Sequence, residues 1–392
     1  MRIMHVITRF ILGGAQENTL DTVLGLMRYR RHQVMLVTGP AVGPEGELLE
    51  RARREGVPTL VLPDLVRRIS PRHDIGAFLS LCGAIHGFRP DVVHTHSSKA
   101  GVLGRLAARL LRVPVIVHTI HGLPFHPYQN PHLNALYILL ERWCARYSDK
   151  LITVADAMTR QALAARIGRA ELYRTIYSGL EMEPFLRDYD RAKVRKKYGL
   201  SPADMVVGKI ARLSDLKGHE FLLEAFQEVA EAEPRAKLLL IGDGWKRRMY
   251  ERQVAESGLS GRVVFAGLIR PDEVPAAIHA MDLVVHTSLR EGLARVLVQA
   301  LVSGVPVISY DVDGAREAVV PEETGVLLAP GEVRGLAAAI LRLLADPELR
   351  HRFGGAGRSR LAPLFDVKVM VARIEEVYEE LLHRRKPAEA AS

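Results

Sequence analysis

The sequence predicts an α/β protein made of two doubly wound domains. Short apolar, β-rich segments alternate with amphipathic helical patterns along the chain, which is typical of parallel sheets joined by right-handed crossovers. The alternation is interrupted by a polar, charged stretch at residues 187–202 and starts again near Val206. A chain of 392 residues also exceeds one typical core and suits two domains.

The first half, which we assign to a domain of residues 1–187, carries seven apolar segments that read as strands. They are Ile3–Thr8, Gln33–Thr38, Thr59–Leu62, Val92–Thr95, Val115–Thr119, Leu151–Val154 and Tyr173–Tyr177. Helical patterns separate most of them, so a parallel sheet is expected here.

The second half, which we assign to a domain of residues 203–366, repeats the pattern. Its predicted strands are Val206–Ala211, Lys237–Ile241, Val263–Ala266, Leu283–His286, Val305–Ser309 and Val326–Leu328. The chain then ends in a helical pattern at residues 367–385, with apolar residues at helix spacing and no strand after it.

Composition places the chain among ordinary globular proteins, with 48% hydrophobic and 25% charged residues. No run of about 18 apolar residues appears, and the apolar run at the N-terminus is too short for a signal peptide. We therefore expect a cytoplasmic protein. Cys82 and Cys144 lie in apolar helical contexts and are interpreted as packed thiols.

The net charge of +9 lies mostly in residues 1–190, which hold 24 Lys and Arg against 17 Asp and Glu. Arg105, Arg109 and Arg112 follow helix spacing and are expected on one face. Such a face suits peripheral contact with the anionic inner side of a membrane, and a merely solvated basic face is the alternative. Nucleic acid is not expected, because no aromatic-interleaved basic motif accompanies the charge.

A pair of glycines, Gly13 and Gly14, follows the first predicted strand and precedes a helix. Paired glycines allow the backbone to approach a ligand, and a helix N-terminus favours phosphate. The later glycines of the dinucleotide-binding fingerprint are missing.

Two cations flank the loop that follows the first strand of the second half. Arg212 and Lys217 lie within the segment Ala211–Gly218, ahead of a helix. A forked guanidinium and a mobile ammonium at this edge can clamp a diphosphate and neutralise charge that grows on a leaving group.

A charged turn between two apolar strands, at residues 290–292, opens another helix. Loops at the carboxyl ends of parallel strands bind ligands. The free N–H groups of Leu293, Ala294 and Arg295 are expected to point at an anion there.

Histidines cluster at the ends of two predicted strands of the first half, at His94, His96, His118 and His121. We expect no metal site, because no carboxylate or cysteine set completes a known ligand spacing. We also expect strand alternation to turn His94 and His118 away from His96.

These motifs resemble those of retaining glycosyltransferase family 4, the glycosyl transferases group 1. The family has two glutamates eight positions apart, and this chain has Glu291 at the first position and Gln299 at the second. Residues 211–218 resemble the family's Gly-Arg-Leu-x-x-x-Lys-Gly loop, with Ala211 first. The likeness spans nearly the whole chain and implies a GT-B fold, in which two Rossmann-like domains face each other across a cleft. It also implies that helix 367–385 packs back on the N-terminal, acceptor-side domain.

The resemblance implies a role for each motif. The Gly13–Gly14 turn would close over the donor pyrophosphate, and His121 would lie beside the reacting sugar. Arg212 and Lys217 would hold the diphosphate, and the loop containing Leu268 would contact the base.

The glutamate segment, which we define as residues 290–299, has implied roles too. Glu291 would bind the donor sugar, and backbone groups at Gly292, Leu293 and Ala294 would meet phosphate. Gln299 would bind the ribose, but as a neutral acceptor it forms a bond weaker by roughly 1 kcal/mol than a carboxylate.

The implied function is a retaining transferase of hexosyl type, with a nucleoside-diphosphate sugar as donor and neither cofactor nor metal. The acceptor would be a glycan or a lipid-linked molecule in cell-envelope or polysaccharide synthesis. Alternatives are a non-catalytic nucleotide-sugar-binding protein, favoured by Gln299, and an epimerase or phosphorylase of the same architecture.

Overall fold

The computed structural model describes residues 1–41 and 48–389. The chain divides into two compact units. The first unit contains residues 1–179 and the described chain from Val367 onwards, and the second contains Leu180–Asp366.

The first unit is built on a parallel seven-stranded sheet with the order β3-β2-β1-β4-β5-β6-β7. Its strands are β1 Arg2–Ile7, β2 Gln33–Thr38, β3 Thr59–Val61, β4 Val92–His96, β5 Val115–Ile120, β6 Lys150–Thr153 and β7 Tyr173–Thr175. The order reverses between β1 and β4, and a ligand crevice lies beyond the carboxyl ends of the strands at such a switch point.

The second unit repeats this design with a parallel six-stranded sheet of order β10-β9-β8-β11-β12-β13. Its strands are β8 Met205–Ile210, β9 Ala236–Ile241, β10 Val263–Gly267, β11 Leu283–His286, β12 Val307–Tyr310 and β13 Gly325–Leu328. The switch point here lies between β8 and β11.

Helices pack on both sheets, and their apolar faces form a core in each unit. Those of the first unit are α1 Gly14–Arg28, α2 Leu49–Arg54, α3 Pro71–Phe88, α4 Ser98–Leu110, α5 Pro131–Ala145, α6 Asp156–Ala164 and α16 Val367–Glu389. Those of the second are α7 Glu183–Leu186, α8 Arg191–Lys197, α9 His219–Ala232, α10 Arg247–Glu256, α11 Val274–His279, α12 Arg295–Val302, α13 Ala315–Ala318, α14 Val333–Ala345 and α15 Pro347–Leu361.

The α/β prediction is confirmed, and every predicted strand overlaps a strand of the structure. The domain boundary differs from the prediction. It falls after Gly179, whereas we expected a linker at residues 187–202. That stretch contains α8, which belongs to the second unit. Helix α16 packs in the first unit, where Val371 and Ile374 join its core.

In the described part of the chain, no helix is both long enough and apolar enough to cross a bilayer. Cys82 and Cys144 are free thiols, and Cys144 is buried.

Candidate functional site

Three loops of the second unit meet beyond the carboxyl ends of its strands. The loop after β8 accepts a backbone hydrogen bond at Leu216 from Leu289, in the loop after β11, at 2.9 Å. It also donates one from Leu213 to Asp243, in the loop after β9, at 3.0 Å. These bonds hold the loop at residues 211–218, called the cation loop below, against the glutamate segment at the switch point of the sheet.

Gly218 makes the close approach of these loops possible. Its φ is +62°, and a Cβ atom here would lie 1.9 Å from the carbonyl oxygen of Thr287. The Thr287 hydroxyl donates to the Gly218 carbonyl at 2.5 Å. Only glycine fits this position, and it sets the direction in which α9 leaves the loop.

Lys217 and Glu291 form an ion pair in this edge, with Lys217 Nζ 2.5 Å from Glu291 Oε1. Both side chains are partly exposed, at 27% and 20%. Burial by itself would raise the pKa of Glu291. The charge of Lys217 and, to a smaller extent, His286 outweigh burial, so the pKa of Glu291 is lowered overall. The backbone N–H of Glu291 donates to Asp313 Oδ2 at 2.6 Å, which fixes the turn.

His286, at the end of β11, was not singled out by the sequence. It is buried, and its Nε2 lies 3.3 Å from Glu291 Oε1. Burial lowers its pKa and Glu291 opposes this less strongly, so the ring is neutral at physiological pH. Its Nδ1 has no hydrogen-bond partner among the described residues.

Lys209 is a second residue that sequence reasoning missed. It lies on β8 with its side chain fully buried, and its ammonium donates to Thr287 Oγ1 at 2.6 Å. Burial, followed by the nearby Lys217, lowers its pKa to about 7. Its signal was a lysine inside an apolar strand directly before the cation loop.

The remaining predicted residues of this unit surround the same edge. Arg212 is half-buried at the start of the cation loop. Gly292, Leu293 and Ala294 are buried directly before α12, whose first residue is Arg295. Gln299 is half-buried on α12. Leu268 is exposed and follows β10, at the end of the same sheet.

The Gly13–Gly14 turn lies beyond the end of β1 in the first unit, and Gly13 is the N-cap of α1. Its φ of 164° is extended backbone, so this turn does not depend on the left-handed freedom of glycine. A Cβ atom would meet only the end of the Gln16 side chain. The expected close approach therefore rests on the small size of the residues.

His121 lies just after β5 in the first unit and lines a cavity of about 290 Å³. Its Nε2 lies 3.0 Å from His96 Nδ1. The cavity wall also includes Ser97, His118 and Glu141.

The expectation that strand alternation turns His94 away from His96 was wrong. His118 does face the opposite side of the sheet, where its Nδ1 lies 2.8 Å from Thr95 Oγ1. His94 and His96 are two residues apart and face the same side of β4, with ring centroids 4.4 Å apart. With His5 of β1 they form a buried group whose ligand nitrogens lie within 4.8 Å of one another. Both nitrogens of His94 already have partners, Tyr378 Oη at 2.5 Å and Thr119 Oγ1 at 2.7 Å.

Arg105 does not take part in a surface patch, contrary to the prediction. It is fully buried, donates to the Gly101 carbonyl at 2.7 Å and pairs with Glu141 at 2.9 Å. Helix α4 ends at Leu110, so Arg112 lies beyond it, and a single helical face through all three arginines does not exist. Arg109 and Arg112 are exposed.

Family models match both units. The model described as Glycosyl transferase 4-like domain matches residues 13–179, and that described as Glycosyl transferases group 1 matches residues 190–360. A relative from Streptomyces kanamyceticus, 2-deoxystreptamine glucosyltransferase, is 31% identical, over 91% of this chain and 96% of its own length. The UDP-Gal:alpha-D-GlcNAc-diphosphoundecaprenol alpha-1,3-galactosyltransferase of Escherichia coli is 26% identical, over 97% of both chains.

Among solved structures, the chain is similar to Anabaena HepE in complex with UDP and glucose. The TM-score is 0.84 at 25% identity, over 97% of this chain and 99% of that one. HepE in complex with UDP-glucose gives 0.83 at 26% identity, over 97% and 100%. By sequence and by fold, the chain therefore belongs to the glycosyl transferases group 1 family and is a glycosyltransferase with the GT-B fold.

Proposed function

We propose that this protein is a retaining transferase of hexosyl type that moves a sugar from a nucleoside diphosphate to a glycan or lipid-linked acceptor. The observation that carries the proposal is the Lys217–Glu291 ion pair at the switch point of the second sheet. It presents one cation and one ionised carboxylate at the edge where an α/β sheet binds ligands.

The two groups suit the two halves of such a donor. A diphosphate needs cations, which Lys217 and Arg212 supply on one loop. Sugar hydroxyls bond most strongly to a charged acceptor, which Glu291 supplies. Gly292, Leu293 and Ala294 lead into α12, whose N-terminal N–H groups favour phosphate oxygens. Gln299 follows one turn later and is assigned to the ribose.

The relatives support a uridine diphosphate hexose as donor, because HepE binds UDP-glucose and the Escherichia coli relative uses UDP-Gal. They also support an acceptor that carries a sugar or amino-sugar hydroxyl. The diphosphoundecaprenol acceptor of the second relative favours a lipid-linked glycan in envelope or polysaccharide synthesis.

Lys217→Ala tests the assignment. We expect transfer from UDP-glucose, and its slow hydrolysis without acceptor, to fall by two orders of magnitude or more, because the leaving diphosphate loses its neutralising charge. Circular dichroism should be unchanged, and Lys193→Ala, an exposed lysine on α8, is the control. Unchanged turnover in Lys217→Ala would refute the role. Donor binding without any turnover by the wild-type protein would favour a non-catalytic binder.

Retention is proposed because the family mechanism lets the leaving phosphate help to deprotonate the acceptor. Proton NMR of the first product formed from an α-linked donor reads out the anomer directly. An α-linked product is expected, and a β-linked product would show inversion.

We propose that contact with an anionic membrane involves Arg109 and Arg112, without Arg105. Leu110 between them is 65% exposed and supplies an apolar contact. Salt-sensitive binding to phosphatidylglycerol vesicles should be lost in Arg109→Ala/Arg112→Ala and kept in Arg270→Ala. Equal binding of both variants would leave the arginines as a solvated face.

A further inference from the structure

The first unit contains a chain of three hydrogen-bonded imidazoles that runs from its sheet to the cavity. His5 Nδ1 lies 2.9 Å from His96 Nε2, and His96 Nδ1 lies 3.0 Å from His121 Nε2. His5 and His96 are buried, at 0% and 1% exposure. His5 lies on β1 and His96 on β4, so the row of three imidazoles crosses the switch point of the first sheet.

The two buried rings are neutral. Burial lowers the pKa of His5 to about 3. Burial, followed by the neighbouring histidines His94, His121, His5 and His118, holds the pKa of His96 well below its ordinary value. Other ionisable groups near this cluster include Arg105, which acts on His118, Tyr378, which bonds His94, and Glu141, which lines the cavity.

Each neutral imidazole has one N–H and one bare nitrogen. The hydrogen bonds along the row of three imidazoles must therefore all be donated in the same direction. In one direction His5 donates to His96 and His96 donates to His121, which leaves His5 Nε2 as a bare acceptor. In the other direction His5 Nε2 carries a proton. His5 Nε2 is buried without a partner among the described residues. A buried donor without an acceptor is rarer in proteins than an under-satisfied acceptor, so the first direction is favoured.

We propose that His5 and His96 are positioning residues that fix His121 in the Nδ1–H tautomer. The Nε2 lone pair of His121 is then occupied by the N–H of His96, and its own proton is on Nδ1. This rests on the proposed role of His121 beside the donor sugar. In that role His121 is a neutral hydrogen-bond donor to a sugar hydroxyl or phosphate oxygen, and Nε2 is not available as a base.

A metal held by His5, His94 and His96 is the competing explanation for the cluster. It would take a nitrogen of His94 from Tyr378 or Thr119, and a nitrogen of His96 from His5 or His121. The hydrogen bonds already present account for every nitrogen of the three rings except His5 Nε2.

The tautomer is read directly by long-range proton–nitrogen NMR on protein labelled with ¹⁵N-histidine. We expect the His121 signals, assigned with His121→Asn, to report a protonated Nδ1 and a bare Nε2. A protonated Nε2 would overturn the proposal. Stoichiometric zinc in the purified wild type, absent from His5→Leu, would overturn it as well. This measurement needs no transferase activity, so it separates the tautomer from the proposed function.

Kinetics test the positioning role. His96→Leu should lower kcat with UDP-glucose by about tenfold, the effect of one lost oriented hydrogen bond, with little change in the KM for donor. His96→Asn keeps an amide N–H near the position of Nδ1 and should recover most of the loss. His132→Leu, an exposed histidine of α5, is the control. Equal losses in His96→Leu and His96→Asn, with both variants folded, would contradict the role.

Discussion

At the level of single residues, the second unit places the opposite charges of Lys217 and Glu291 next to each other at the edge of the sheet where ligands bind. The Lys217 ammonium keeps Glu291 ionised although burial disfavours its charge. The turn of Glu291 is held by Asp313, and the loop of Lys217 by Gly218. Both groups are therefore oriented by backbone contacts before any ligand arrives, which lowers the entropy lost on binding.

The affinity for the donor is expected to respond to the residue at position 299. Gln299→Glu replaces a neutral acceptor by a carboxylate, so the affinity for UDP should stay equal or rise by up to about tenfold. Isothermal titration calorimetry measures this, with Gln253→Glu on α10 as a control of equal charge. A marked loss of affinity in Gln299→Glu alone would argue against ribose binding.

Lys209 gives the second unit a defined pH dependence. Burial lowers its pKa from 10.5 to about 7 in the folded protein. Between these values the unfolded chain binds more protons, so this group's contribution to the free energy of unfolding rises with pH. Its destabilising effect is fully present below pH 7 and disappears as the pH approaches 10.5.

Lys209→Met should therefore stabilise the protein most near pH 6 and progressively less towards pH 10. The gain at low pH is expected to be a few kcal/mol, at about 1.4 kcal/mol per unit of pKa shift. Urea denaturation at pH 6, 8 and 10 measures it, with the exposed Lys193→Met as control. A gain that does not change with pH would show that Lys209 has an ordinary pKa when folded.

At the level of elements, α8 explains why the predicted linker was wrong. Its sequence is polar and charged, which is typical of a linker, but Arg195 is buried against other segments of the second unit. The guanidinium donates to the carbonyls of Pro202, Asp204 and Ala280 and to the carboxylate of Asp282, at 2.8–2.9 Å. A buried charged side chain with several hydrogen bonds can anchor a helix as an apolar one does.

Arg195→Ala should destabilise the second unit by about 3 kcal/mol, because it leaves buried acceptors without a donor. Arg191 pairs with the other oxygen of Asp282 at 2.6 Å but is 46% exposed. Arg191→Ala is therefore the matched control and should cost at most about 1 kcal/mol. Equal costs in a chemical denaturation experiment would show that burial of the pair is unimportant.

At the level of the whole molecule, the chain forms two parallel sheets that share the order of their first six strands, with β7 as a seventh strand in the first sheet. Its last described helix then packs in the first unit. Helix α16 packs along α1, where Gly25 faces Val371. A Cβ atom on Gly25 would lie 2.4 Å from Val371 Cγ2. The terminal helix thus covers a core that residues near the start of the chain leave open.

Gly25→Ala is expected to destabilise the first unit by about 1 kcal/mol. The steric overlap of the new Cβ atom with Val371 costs about 1–3 kcal/mol. This exceeds the roughly 1 kcal/mol by which alanine stabilises a helix relative to glycine. Val371→Ala alone should also destabilise, by removing buried methyl groups. The double variant should lose less than the sum, and an additive result in a denaturation cycle would contradict the contact.

Much of the fold could be predicted from the sequence because parallel strands are short, apolar and regularly spaced. The cation loop and the glutamate turn were predicted for the same reason: each follows such a strand, and strand ends share one edge. The histidine arrangement and the buried arginines could not be predicted. Arg105 has helix spacing typical of a solvated face, and its burial depends on the Gly101 carbonyl and on Glu141, which belongs to another helix.

The sequence by itself determined the fold class, the strands and the segments that carry Arg212, Lys217 and Glu291. These depend on local periodicity and turn chemistry, which each segment carries within itself. Only the tertiary structure decided that Lys209 and His286 join Glu291, that His5 and His96 lead to His121, and where the first unit ends. Those facts depend on which residues are brought together across strands distant in sequence, and on the burial that shifts their pKa values.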